Sequence, residues 1–564
     1  MSLSSLQQTP ADVDILSSTS PAGNQTAGDV LSWRQWLLMM AMLLPWLSIV
    51  TAHYLGNGSQ ATGFFQYDQP YYVANGRAAF ERGNGVLYPN PSDADPDSPI
   101  IYFHWLPWIM GCCVSVLHCE PGLVNAALTA ALLPLFGWLT WKLICRRTQQ
   151  RRMSMLFLAL WGGGVLSLLG ILKSFATGTS LIEAVFEFDP TNGLWFLNWG
   201  RNTVYSVEIT YHCLVAAAWL CVLTGRNRLA LLPAGLLAAT HPWSGIELLL
   251  VLNAWFLMEA VRHRRGEFFV NLGIAVLLLT LLLGYYKVWL PRFPTHAALQ
   301  DTWSLNWRME WSTVLYAYTP VATLAFLALW KKRFLAGRQE QFLLLAAAVA
   351  FGLTIHDRIL PRPVQPLHFS RGYIWTPLFL IGIPQVVHLI SRLQRIPTQW
   401  RRPLIAACLC LAVFDNVAFS LTHCYWQYTA TGEEGFLLTT DDRAVLDVLQ
   451  TAESPVIFCE DLDFSYLLPT YVPSRPWLCH KFNTPDYVKR QLQLRPALAD
   501  NGFQPELLPP AIDIVILKAA RNSSALQSSP NWQPLLSPNR TWQLWKRTSE
   551  RTAEIPGPPT TEVR

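Results

Sequence analysis

The sequence predicts an α-helical polytopic membrane protein of about 11–13 transmembrane helices with a small C-terminal extracytoplasmic α/β domain. Three observations carry this. The 564 residues are 51% hydrophobic, only 14% charged, and have a mean hydropathy of +0.23, which is greasier than a soluble chain of this size. Apolar runs long enough to cross a bilayer recur from residue 33 to 424, with short basic turns between them. From about 430 onward the composition becomes polar, over a length sufficient for a small domain.

The runs lie near 33–52, 122–144, 154–173, 203–223, 243–261, 268–288, 313–330, 373–391 and 404–423, with two shorter ones at 229–241 and 341–356. A twelfth run, 101–118, contains His104, Trp105, Pro107 and Trp108, which suit a segment that lies in the interface or re-enters. The basic turns are Arg146, Arg147, Arg151 and Arg152; Arg226 and Arg228; Arg262, Arg264 and Arg265; Lys331, Lys332 and Arg333; and Arg392, Arg395, Arg401 and Arg402. They fall at every second connection, so all can face the cytoplasm together. Eleven crossings, with 101–118 not crossing, then place the N-terminus in the cytoplasm. The loops 53–100, 174–202, 289–312 and 357–372 join the C-terminal portion outside. Residues 1–32 are polar, lack a signal-peptide pattern and are expected to be a disordered cytoplasmic tail; 551–564 are expected to be a second frayed tail. The net charge of +5 reports topology, and no polybasic tract supports a nucleic-acid partner.

In the domain at 430–550, Thr440–Ala452 has helical spacing after an Asp-rich start. Val456–Cys459 and Ile512–Leu517 read as buried strands, 485–500 as a helix opened by Pro485, and Trp542–Lys546 as the last strand. Of eleven cysteines, Cys459 and Cys479 are a candidate disulfide if this domain is extracytoplasmic.

Candidate chemistry gathers in the loops. Asp68, in Tyr67-Asp68-Gln69-Pro70-Tyr71-Tyr72, is a carboxylate among aromatics at a membrane surface and could act as a general base toward a hydroxyl. Equally, Asp68 before Pro70 fits a helix N-cap with the helix over Tyr71–Glu81. Asp189 could orient a substrate or hold a metal, although Asp189-Pro190-Thr191-Asn192-Gly193 is also a strong turn sequence. Arg358, Arg362, His368 and Arg371, with Arg201 from the Trp-rich second loop, suit an anionic headgroup because guanidinium forks match phosphate oxygens; the bland alternative is Arg snorkelling to ordinary lipid. His104 could line the same site. His241-Pro242 breaks a helix pair, as a hairpin turn or as substrate lining. The loop 287–310, with Arg292, His296, Asp301 and Arg308, could be a lid. Gly162-Gly163-Gly164 suits close helix packing, since no Lys-Ser or Lys-Thr follows to make a phosphate loop.

The first-loop residues Tyr67-Asp68-Gln69-Pro70-Tyr71-Tyr72, then Gly76-Arg77, Gly83, Gly85, Tyr88-Pro89 and Tyr102-Phe103-His104-Trp105-Leu106-Pro107, resemble the C-type (GT-C) integral membrane glycosyltransferase superfamily. That group includes protein O-mannosyltransferases and aminoarabinose-lipid transferases. The segment Tyr466-Leu467-Leu468-Pro469, Arg475 and His480 through Tyr487 is similar to the extracytoplasmic tail domain of bacterial members. The resemblance implies that Asp68 is the catalytic carboxylate; the usual acidic neighbour is Gln69 here. It implies a polyprenyl-phosphate-sugar donor, a glycan, lipid or protein acceptor, and a bacterial inner membrane location. Asp189 would help to position the acceptor, and Arg201, Arg358, Arg362, His368 and Arg371 would bind the lipid phosphate. No cofactor is required by the sequence, and a divalent metal is left open. The alternatives are a transporter or flippase of lipid-linked or anionic substrates, and a non-catalytic relative whose outer domain binds a partner.

Overall fold

The computed structural model describes residues 30–302, 307–431, 435–498, 502–536 and 538–548. Most of the tail expected at 1–32, and all of that at 551–564, lie outside the described residues. Structure begins inside the first of them. Ser32 caps the first helix, accepting from the Gln35 backbone N–H, while Gln35 Oε1 accepts from the Ser32 N–H at 2.9 Å.

All eleven apolar runs are helical. Eight helices among the described residues are long and apolar enough to cross a membrane: Trp33–Gln60, Pro121–Arg147, Ser206–Leu223, Pro242–His263, Gly266–Arg292, Trp311–Lys331, Trp375–Leu393 and Thr398–Thr429. The pair Arg152–Trp161 and Leu166–Thr177, bent by 49°, makes nine if taken as one span. Asn227–Ala238 and Arg338–Thr354 complete the eleven. At 1.5 Å per residue these two reach only about 18 and 26 Å, less than the ~30 Å of a hydrocarbon core. Hydropathy had marked them by composition, which does not register how much of each helix faces other helices.

The bend at 162–164 is built by Asp415 and Asn416 on the last long helix. Asn416 Nδ2 donates to the carbonyls of Trp161 and Gly162 at 3.0 and 2.9 Å, closing the end of the first half-helix. Asp415 accepts from the backbone N–H groups of Gly164, Leu166 and Ser167 at 2.8, 3.2 and 3.0 Å, opening the second. The two residues thus satisfy the backbone groups that a break leaves orphaned. Gly164 is required by packing, since a Cβ there would lie 2.4 Å from the Tyr316 carbonyl oxygen.

The segment 101–118 forms a short helix, Trp105–Val116. The chain before it contacts the C-terminal unit through Asn90 Nδ2, which donates to the Asn483 carbonyl at 2.7 Å. The chain after it does so through Glu120, which accepts from Tyr471 Oη at 3.2 Å. The segment therefore enters and leaves at one end of the bundle.

The C-terminal unit is a five-stranded sheet of β1 (Val456–Cys459), β2 (Arg475–Pro476), β3 (Ile514–Lys518), β4 (Trp532–Leu536) and β5 (Trp542–Arg547), in the order β2-β1-β3-β5-β4. β1 is parallel to β2 and β3, and β5 is antiparallel to β3 and β4. The first helix, Thr440–Leu449, opens with a capping box of Thr439 and Asp442. The helix expected over 485–500 is shorter, Tyr487–Leu494, because Asp486 takes a left-handed conformation and ends the turn that contains Pro485. The helix Leu462–Tyr471, capped by Asp461, carries no alternation or period that announced it. Cys459 and Cys479 are buried free thiols, so the disulfide is not formed; they pack as small apolar groups.

This unit docks on the helix Asp68–Glu81. Thr470 Oγ1 donates to the Pro70 carbonyl at 3.0 Å, Arg77 donates to the Tyr471 carbonyl, and Tyr67 stacks on Tyr466 with centroids 4.8 Å apart.

Candidate active site

Between the helical bundle and the sheet unit lies a cavity of about 1140 Å³, mouth included. Asp68 opens into it. Around it stand Tyr71, Tyr72, Tyr88, Tyr102 and Tyr286, with Trp243 and Trp307 farther round the wall. The lining comes from distant parts of the chain, including His104, His241, His296, His368 and His480. Residues of the loops 53–100, 289–312 and 357–372 and of the sheet unit thus meet in one cavity, while the loop 174–202 contributes none to its lining.

Asp68 is the first residue of its helix, not its cap, and the helix start carries no side-chain cap bond. Gln69 holds the preceding turn in place, its Oε1 accepting from the N–H groups of Phe65 and Gln66 at 2.9 and 3.2 Å. The neighbour that the family resemblance leads one to expect as acidic is a structural amide here. Burial pushes the Asp68 carboxyl above its usual range, while the positive charge of Arg371 and a hydrogen bond with the Gln66 side chain pull it back.

His104 Nε2 lies 2.8 Å from Tyr286 Oη, and its Nδ1 is bonded to Tyr88 Oη. His368 lies among Trp195, Trp307 and Trp243, with centroids 5.5, 5.4 and 6.2 Å away, and is bonded to Arg371. Arg371 stands behind the lining, 2% exposed, paired with Glu208 and donating from Nε to the His368 carbonyl at 3.0 Å.

Of the other expected site residues, Asp189 and Arg201 are not in the cavity. They form a fully buried pair at 2.8 Å, and Arg201 also donates to Asn416 Oδ1 at 2.8 Å and stacks over Phe419 at 4.7 Å. This pair locks a turn in which Thr191, Asn192 and Gly193 all have positive φ, at 50°, 55° and 78°. Gly193 is required there twice over, because a Cβ would also sit 2.6 Å from Arg201 Nη1. Arg358 lies outside the lining, 3.5 Å from Asp357 and over Trp311, and Arg362 is exposed. Of the cluster expected from the sequence, His368 lines the cavity and Arg371 stands directly behind it.

Tyr72, Asn75, Gln365, His480 and Asn483 line the cavity without having been singled out as site residues. The Asp68–Glu81 helix places residues three and four apart on one face, so Tyr71, Tyr72 and Asn75 could have been read from Asp68. Nothing local announces His480. Among the described residues no group of three or more His, Cys, Asp or Glu side chains converges as a metal site.

Burial holds His368 and His480 down at about 3, and His104 at about 4. Their unfolded value is near 6.5, so as pH falls below 6.5 the unfolded chain takes protons that the folded one refuses. Stability is then lost progressively down to pH 3–4. At pH 5 the loss is roughly 2 kcal/mol for each of His368 and His480. Melting curves of the purified protein at pH 7.5 and 5.0 check this, and His480→Gln should flatten part of the slope.

No family model matches the chain, and no curated protein matches it by sequence. Among solved structures it is similar to the Archaeoglobus fulgidus oligosaccharyltransferase crystallised with zinc and sulfate. There the identity is 9% and the TM-score 0.41, over 86% of this chain and 68% of that one. It is also similar to ArnT from Cupriavidus metallidurans in the apo state, at 12% identity and a TM-score of 0.44, over 90% of this chain and 97% of that one.

Proposed function

We propose that this chain is a membrane glycosyltransferase that moves a sugar from a polyprenyl-phosphate-sugar donor to an acceptor at the outer face of the membrane, with Asp68 as general base. The observation that carries this reading is a carboxylate with no capping role, opening into an aromatic cavity lined by three of the large loops and the sheet unit. Aromatic faces suit the apolar faces of sugar rings. A carboxyl raised by burial is a stronger base when ionised, and the nearby Arg371 favours the ionised form.

In the proposed step the acceptor oxygen attacks the anomeric carbon as its proton passes to Asp68. The bond from that carbon to the phosphate oxygen breaks, and the polyprenyl phosphate leaves with the electron pair. His368 lines the cavity with its Nδ1 bonded to Arg371 behind it, so its Nε2–H would be the neutral donor offered to the leaving phosphate. Such a donor carries its own activation, so no soluble nucleotide is needed.

Mass spectrometry of envelope glycans and lipids, from cells with and without the protein, tests the reaction class. A sugar missing only from the deficient cells is expected. Unchanged glycans together with substrate counterflow in proteoliposomes would replace the transferase by a transporter.

A further inference from the structure

The lining of the cavity contains one formally charged side chain among the described residues, Asp68. The histidines add no fixed positive charge at neutral pH, since burial holds His296 at about 4 and the others already given at 3–4. The nearest guanidinium, Arg371, is engaged by Glu208 and His368. An anionic occupant of the main chamber would lose its water without gaining a free cation. An ammonium group would find a carboxylate already facing Arg371. What the wall does offer is uncharged groups that both donate and accept, from Asn75, Thr240, Gln365 and Asn483, interleaved with aromatic faces. That is the complement of a polyhydroxylated ring.

One part of this wall belongs to the C-terminal unit. His480, Phe482 and Asn483 project from a tight turn in which His480 Nδ1 accepts from the Phe482 N–H at 3.1 Å and the His480 carbonyl accepts from the Thr484 N–H at 2.8 Å. The turn is fastened to the first loop by the bond from Asn90 to Asn483. Tyr67, Tyr71 and Tyr466 surround His480 at 5.0, 5.4 and 5.3 Å. Phe482 stands edge-on to Trp307 at 6.4 Å and 87°. The turn therefore forms a rigid wall of the same chamber into which Asp68 opens.

We infer that the chamber takes a neutral, hydroxyl-rich sugar as acceptor, and that the 480–483 turn of the C-terminal unit is its specificity-determining element. This rests on the transferase reading, which supplies the acceptor. Binding is therefore measured apart from transfer, on the unmutated protein in detergent with no lipid-linked donor present.

Saturation-transfer NMR with mannotriose, maltotriose and chitotriose as neutral probes should show binding of at least one. Trigalacturonate and the glucosamine trimer, as anionic and cationic probes, should not compete. Phe482→Leu and Asn483→Ala should each weaken the bound neutral probe about tenfold without lowering the melting temperature. If a variant proves unstable, Phe482→Tyr and Asn483→Ser provide the same comparison on the same turn. The inference is overturned if no neutral trisaccharide binds, if a charged probe binds more tightly, or if the turn variants bind as well as the parent. Intact binding without any transfer by the unmutated protein would instead count against the transferase reading, so the two failures separate.

Discussion

Asp68→Asn is expected to reduce sugar transfer by about 10²–10⁴-fold, the range typical for loss of a general base, while the protein remains folded in the membrane. The substitution keeps the shape of the side chain and removes its ability to hold a proton as a carboxylate. Since the helix start uses no side-chain cap, helix stability should barely change. Transfer from a labelled lipid-linked donor, assayed in membranes alongside a melting curve, reads both effects. Full activity in the variant would remove Asp68 from the chemistry. Gln69 provides the positioning control. Gln69→Ala leaves the Phe65 and Gln66 N–H groups without their acceptor, and should lower turnover by loosening the turn that sets Asp68. Gln69→Glu keeps both acceptors and should retain most of it.

Asp189→Ala is expected to act on stability instead. Removing one partner of a fully buried ion pair strands the other charge and typically costs about 3–5 kcal/mol. Arg201 would be left 0% exposed among Asn416, Phe419 and the Gly193 carbonyl. Thermal unfolding of the purified variant should show a large fall in midpoint. The double variant Asp189→Leu with Arg201→Met should recover much of it, because apolar groups of similar volume do not demand a counter-charge. A stable Asp189→Ala protein with lost turnover would return Asp189 to the catalytic machinery.

The contrast between these two aspartates shows how far local sequence could go. Both occur in polar loops beside aromatics, and both precede a proline. Asp68 is distinguished only by what surrounds it in space: tyrosines from its own helix, Arg371 from a loop three hundred residues on, and the 480–483 turn beyond that. Asp189 is diverted by Arg201, whose side chain is itself held by Asn416 Oδ1 and the Asp415 carbonyl. No period or spacing in the second loop encodes those partners. Arg358 and Arg362 lie outside the cavity lining for the same reason. A cluster of cations in sequence becomes a phosphate site only if the backbone turns them toward one point, and here only Arg371 and its neighbour His368 turn inward.

The sequence by itself determined the eleven helical runs, most of them to within a few residues, and the polar sheet-forming unit. Those follow from the period of apolar residues and the placement of basic turns, which are local properties that solvent or lipid reads directly. Only the tertiary structure decided which polar residues share the cavity, which are used up as caps and clamps, and that the C-terminal unit walls the site. These depend on contacts between residues separated by hundreds of positions. Burial there makes each unpaired polar group so costly that its partner, not its neighbours in the chain, sets its role.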